Sequence, residues 1–211
     1  MTRAAAIKHG YTTGARGLAS RSVVGLTRTR VTPNALTASG VLLCAAASVL
    51  VLFENRGELL FYWHAAFVFV TGSVLDILDG ALARAGGKTT PFGAFIDSTT
   101  DRVSEGFMLT AIAYVLATHH HPVFVAVAMA AVAGSFLVSY TRARAEALGL
   151  RGDVGIGSRA ERVVVITAGL VLAPWGVLPW ALVLLAVTAW VTVGQRVLHV
   201  RKQLMEGNTH E

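Results

Sequence analysis

Long apolar runs alternate along this chain with short polar or basic punctuation. Most are near or above the roughly 20 residues a helix needs to cross a bilayer, and they predict membrane helices. The first span is expected from about Pro33 to Phe53, with Thr32 or Asn34 as its cap and Pro33 in its first turn. The second runs from about Leu59 to Ala85 and ends at a short Gly-Gly-Lys-Thr-Thr-Pro loop. The third covers about Phe92 to Thr118 and the fourth about Pro122 to Leu148. A polar segment, Gly149 to Ser158, leads to a shorter fifth span of about Arg159 to Leu172. Pro174 and Pro179 mark the next turn, and the sixth span runs from about Trp180 to Val200. The stretch before the first span (GLASRSVVGLTRTRV, for instance) is basic and lacks the apolar core of a signal peptide. It reads as an amphipathic helix lying on the membrane surface. The expected fold class is therefore all-α: an integral membrane bundle of six transmembrane helices, preceded by an N-terminal amphipathic surface helix. Residues 1–30 form the juxtamembrane segment, 31–202 the six-helix domain and 203–211 a polar tail.

Composition sharpens this reading. Residues are 54% hydrophobic and only 14% charged, whereas a soluble domain carries about 25% charge. With both termini inside, only Arg56 of the 18 Lys and Arg residues falls on the outer side, so the positive-inside rule orients the bundle clearly. The net charge of +6 is absorbed by topology, lipid headgroups and phosphate-bearing substrates. No nucleic-acid-binding pattern accompanies it, and nucleic acid is excluded as a partner. The single cysteine, Cys44, lies in an apolar run and is expected as a small packing residue with no internal disulfide. Trp63, Trp175 and Trp180 fall where an outer aromatic belt is expected.

Four aspartates stand out against this background. Asp76 and Asp79 close the second span; Asp97 and Asp101 open the third. Spacings of three and four put each pair on one helix face, and a short loop between antiparallel neighbours lets the pairs converge. A charged side chain at the centre of a membrane helix costs roughly 2.5–3.5 kcal/mol on insertion scales. Four together call for a neutraliser, and clustered carboxylate oxygens suit a hard divalent cation. A polar helix interface or an ion pathway would also gather carboxylates, but would leave the nearby glycines and arginine without a reason. Gly80 and Gly93 strip bulk from beside the carboxylates, and Arg84, further along the second helix, is suited to gripping a phosphate bidentately.

The full pattern is Asp76-x2-Asp79-Gly80-x2-Ala83-Arg84-x8-Gly93-x3-Asp97-x3-Asp101. It resembles the signature of the CDP-alcohol phosphatidyltransferase family at every fixed position. The resemblance extends in outline over the whole chain, since members have six membrane helices and a cytoplasm-facing site. It implies transfer of a phosphatidyl group from a CDP-linked lipid to an alcohol, with release of CMP. It implies Mg²⁺, with Mn²⁺ as the alternative, held as two ions by Asp76, Asp79, Asp97 and Asp101. Asp101 is then also the general base for the alcohol. The CDP-lipid is expected to lie against Gly80, Arg84 and Thr90, and against the Asn34, Ala35, Leu36, Thr37 stretch. Helix capping explains Thr90 and Asn34 equally well.

A second cluster bears on the acceptor. Ser139 and Arg142 share a face near the end of the fourth span; Arg162 opens the fifth and Arg196 lies in the sixth. Three arginines and a hydroxyl suit an acceptor that is itself a phosphate ester. The run from Ser139 to Leu150, with Glu161-Arg162 and Gln195-Arg196, is similar to the phosphatidylinositol-phosphate synthase branch of actinobacteria. That similarity implies that Ser139, Arg142, Arg162 and Arg196 hold the phosphate of inositol 1-phosphate, with CDP-diacylglycerol as the lipid donor. Two departures are noted: position 142 is Arg where Lys is common in the branch, and Gly155-Ile-Gly-Ser-Arg159 differs from the branch pattern.

Competing readings are glycerol 3-phosphate as acceptor, and in another class a small cation transporter. The transporter is disfavoured because no internal repeat is visible and the aspartates sit near a membrane boundary. Positive-inside topology alone accounts for Arg144 and Arg159, and a solvated outer loop for His119, His120 and His121. The family resemblance further implies a homodimer. Ala126, Ala130, Ala133 and Gly134 offer a small-residue face for it, or for packing within one subunit.

Overall fold

The computed structural model describes residues 32–53, 60–87 and 89–207. The expected N-terminal surface helix, Arg56 and the last four residues lie outside them. Six α-helices account for most of the described residues: α1 (Pro33–Leu52), α2 (Leu60–Ala85), α3 (Pro91–Thr118), α4 (Pro122–Ala147), α5 (Arg159–Val171) and α6 (Leu178–Gly207). A single 3-10 turn, Ala173–Trp175, joins α5 to α6, and there is no strand among the described residues. Each helix falls on one of the six expected spans. Four are long and apolar enough to cross a membrane: Asn34–Leu52, Leu60–Arg84, Pro122–Ala147 and Leu178–Glu206. The other two differ for clear reasons. α3 carries Asp97, Asp101 and Arg102 in its first half and Glu105 at its middle, and α5 has only 13 residues. α6 also runs on to Gly207, into the segment expected as a polar tail.

The helix starts show how local sequence sets these boundaries. α1 and α3 begin with the same device. Thr32 accepts a hydrogen bond at Oγ1 from the Ala35 amide (3.3 Å), and Thr90 does the same for the Gly93 amide (3.0 Å). In each case a proline follows the threonine, where its missing N–H costs no helical bond. Thr32, not Asn34, is thus the cap of α1. α5 opens with a reciprocal capping box between Ser158 and Glu161.

The described chain forms two compact units: residues 32–43 with 71–103, and residues 44–70 with 104–207. The first holds the starts of α1 and α3 and the end of α2, with a small apolar cluster at Leu36, Leu75, Ala81 and Leu82. The second holds the main core, where Phe69, Met108, Leu109, Ile112, Leu170, Leu182 and Leu185 are fully buried among many alanines. Cys44 is buried there, as expected of a packing residue. Small residues let helices close up: a Cβ on Gly134 would stand 2.9 Å from that of Ala189, and one on Gly169 would stand 2.8 Å from that of Ala181. Trp190 Nε1 donates to the Ala130 carbonyl (3.1 Å), so Ala130 and Gly134 pack α4 on α6 within one chain. Large apolar side chains such as Leu42, Phe67, Val123, Trp175 and Trp180 are exposed, which suits lipid-facing helices.

Candidate active site

The first unit gathers the aspartates. Oxygens of Asp76, Asp97 and Asp101, one from each, lie within 4.8 Å of one another. This is the only metal-ready group of three or more ligand side chains among the described residues, and the histidine run at 119–121 forms none. Asp76 and Asp79 are buried, and Asp97 and Asp101 are half-buried. Asp79 stands beside the triad rather than in it. Thr37 Oγ1 donates to its Oδ2, and Asp79 lies within electrostatic reach of Asp76 and Asp97. All the donors are carboxylate oxygens, the set that a hard cation such as Mg²⁺ or Mn²⁺ prefers, so the residues present fit the expected ion. Arg102, next to Asp101, reaches that carboxylate only at 3.9 Å and donates instead to the Ser98 carbonyl.

The residues expected to hold the CDP-lipid lie in the same unit. Gly80 gives Arg84 room: a Cβ there would meet the Arg84 guanidinium at 3.3 Å. The exposed guanidinium thus folds back over the glycine one turn earlier. Thr90 is exposed and spends its hydroxyl on capping α3. Asn34 and Ala35 are exposed at the start of α1, Leu36 is buried and Thr37 is committed to Asp79.

In the second unit the three arginines have different situations. Arg162 is buried and fully engaged. Its Nε and one terminal nitrogen grip Glu105 bidentately (2.7 and 2.9 Å), and the other donates to the Gly157 carbonyl (2.8 Å). Arg196 is also buried; Nε donates to the Val154 carbonyl (2.9 Å) and a terminal nitrogen to the Val138 carbonyl. Arg142 is exposed and pairs only with the equally exposed Glu146, at 2.8 Å. Ser139 is half-buried, with its hydroxyl directed at the Ser135 carbonyl at 3.4 Å. The charges of Arg142 and Arg162 both act on Arg196, so the three form one electrostatic group, moderated by Asp153 and Glu146.

The loop between α4 and α5 is fastened along one face of α6. Gln203 exchanges two hydrogen bonds with the Arg151 backbone (3.0 and 2.8 Å), Arg196 holds Val154, and Thr192 Oγ1 accepts from the Gly157 amide (2.9 Å). This accounts for the unusual Gly155-Ile-Gly157 sequence. Gly155 has φ +120°, and a Cβ there would strike Thr192 at 2.3 Å.

Glu105, Thr192 and Gly40 escaped the sequence reading. Glu105 left a usable signal: a lone carboxylate opening the apolar half of α3 needs a partner. Thr192 and Gly40 left none, because small residues in apolar runs are common.

Comparison with known proteins agrees with this geometry. Residues 30–194 match the CDP-alcohol phosphatidyltransferase family. The archaetidylinositol phosphate synthase of Pyrococcus horikoshii is 36% identical over 84% of this chain and 87% of its own. The phosphatidylinositol phosphate synthase of Mycobacterium marinum is 38% identical over 83% of this chain and 76% of its own. Two crystal structures of the Mycobacterium tuberculosis phosphatidylinositol phosphate synthase share the fold. One has CDP-DAG bound, with TM-score 0.76 and 30% identity over 86% of this chain and 92% of that one. The other, in complex with manganese and citrate, has TM-score 0.77 and 32% identity over 86% and 88%. With its aspartate signature on helices of the expected kind, the chain belongs to the CDP-alcohol phosphatidyltransferase family and is an enzyme of phospholipid synthesis.

Proposed function

We propose that this enzyme transfers the phosphatidyl group of CDP-diacylglycerol to the hydroxyl of inositol 1-phosphate, releasing CMP and forming phosphatidylinositol phosphate. The observation that carries the chemistry is the convergence of Asp76, Asp97 and Asp101 to within 4.8 Å, with Asp79 alongside. The acceptor assignment is supported by the names of relatives that differ in lipid but share inositol phosphate, and by the arginine group on α4, α5 and α6.

In this reading Asp76, Asp79, Asp97 and Asp101 hold two Mg²⁺ or Mn²⁺ ions. Bound there, the metal offsets the charge of the diphosphate as CMP departs. Asp101 takes the proton of the attacking hydroxyl, which raises the nucleophilicity of its oxygen in the transition state. Arg84, lying over Gly80, grips a donor phosphate oxygen, and the capped starts of α1 and α3 bring Asn34, Ala35, Leu36, Thr37 and Thr90 to the nucleotide. Ser139, Arg142, Arg162 and Arg196 bind the acceptor phosphate. Arg142 makes the direct approach, because breaking an exposed pair with Glu146 costs little. Arg162 and Arg196 add positive potential from fixed positions. The distribution of Lys and Arg favours the cytoplasmic membrane, with both termini and the aspartates on the cytoplasmic side.

The experiment is CMP release by purified protein in detergent with CDP-diacylglycerol and Mg²⁺, supplied in parallel with inositol 1-phosphate or glycerol 3-phosphate. Release with inositol 1-phosphate alone is expected. Release with glycerol 3-phosphate alone would keep the aspartate chemistry and overturn the acceptor.

A further inference from the structure

α1 meets the aspartate end of α2 at two points in register. Thr37 Oγ1 donates to Asp79 Oδ2. Three residues on, the buried Gly40 lies so close to α2 that a Cβ there would stand 2.9 Å from the Gly72 carbonyl oxygen and 3.5 Å from the Asp76 Cβ. Thr37 and Gly40 follow one another along α1 while Asp79 and Asp76 follow in the opposite order along α2, at the same spacing of three. The two helices thus run antiparallel here, and one face of α1 reads both aspartates of α2.

We infer that Thr37 and Gly40 are positioning residues for the carboxylate cluster, a template that fixes the height and rotation of Asp76 and Asp79. Two physical facts make the template stiff. Backbone-to-backbone contact at Gly40 leaves no side chain that could yield, and packed helices shift in discrete steps rather than smoothly. A hydroxyl donating to one carboxylate oxygen also fixes the rotamer, as outer-sphere partners of metal-binding carboxylates do. A glycine three residues after the threonine is therefore a requirement of the site and not only of helix packing.

The inference rests on the reading that these carboxylates hold a divalent cation, so the test separates the two. Mn²⁺ binding to the purified full chain in detergent is followed by the electron paramagnetic resonance signal of free Mn²⁺. Thr37→Val keeps the shape of the side chain and removes the donor. Its Mn²⁺ dissociation constant is expected to rise about 10–100-fold, the usual cost of losing such a partner, while its melting temperature without metal stays close to that of the unaltered protein. Thr37→Ser restores the hydroxyl and should recover most of the affinity. Gly40→Ala should weaken Mn²⁺ in the same direction through the clash with Gly72. Asp97→Asn is the reference. If it weakens Mn²⁺ while Thr37→Val does not, the positioning role is wrong and the metal reading survives. If Asp97→Asn binds Mn²⁺ as the unaltered protein does, the metal reading fails and takes the inference with it.

Discussion

The two charged groups of this enzyme are built on opposite principles. In the aspartate unit like charges are gathered: three carboxylates share a space 4.8 Å across, with Asp79 at its side. Such an arrangement is costly in an apolar setting, and a cation would offset it. In the arginine unit the charges are mostly answered from within. Arg162 is locked to Glu105 and Arg196 to two backbone carbonyls, and only Arg142 is exposed to solvent. In the proposed function the first group works on a ligand. The second is braced from within, with one arm extended. The difference teaches that a cluster of like residues in a sequence does not by itself say how many of them face a ligand.

The largest effect expected falls on the aspartate side. Asp101→Asn should lower kcat by about 10²–10⁴, the span of general acid–base contributions, with CDP-lipid binding largely intact. Single-turnover CMP release beside a direct binding measurement checks it. A near-normal rate would remove Asp101 as the base and weaken the contrast between a chemical unit and a scaffold unit.

Next comes the rivet of the arginine side. Arg162→Ala strands Glu105 in the core, and loss of one partner of a buried pair costs about 3–5 kcal/mol. The unfolding transition in detergent should drop accordingly. The double variant Glu105→Leu with Arg162→Met sharpens the comparison, since replacing both partners of a buried pair by apolar residues is often nearly neutral. If it recovers both stability and the acceptor KM, Arg162 is scaffold alone. If stability returns while KM for inositol 1-phosphate stays high, Arg162 also acts on the phosphate.

The same contrast governs what was legible in the sequence. The six helices could be read because long apolar runs have few other uses, and the starts expected at about Pro33 and Phe92 fall within a residue of those observed. The aspartates could be read because carboxylates in apolar helices need a reason. How each arginine is held could not be read, because the three look alike. Nothing in Arg142, Arg162 and Arg196 as letters distinguishes an exposed side chain from one already bound to Glu105 or to carbonyls, because those partners lie 57, 42 and 58 residues away. Gly40 was silent for a related reason: its role is a contact with Gly72, and distance between helices is not written in local pattern.

The smallest effect tests the extended arm itself. Glu146→Gln keeps the length of the side chain and removes its charge, so Arg142 loses its exposed i,i+4 partner. Such pairs are worth about 0.3–0.5 kcal/mol, so KM for inositol 1-phosphate should fall roughly twofold. A second contribution has the same sign, because the Glu146 charge also acts on Arg196 and would repel an incoming phosphate. KM for CDP-diacylglycerol should not move. Raising the salt should shrink the difference between variant and unaltered protein, because exposed charges are screened beyond about 10 Å at 0.1 M. An acceptor KM that instead rises would mean that Glu146 holds Arg142 in its working position. The arm would then be braced like Arg162 and Arg196, and the arginine unit would be scaffold throughout.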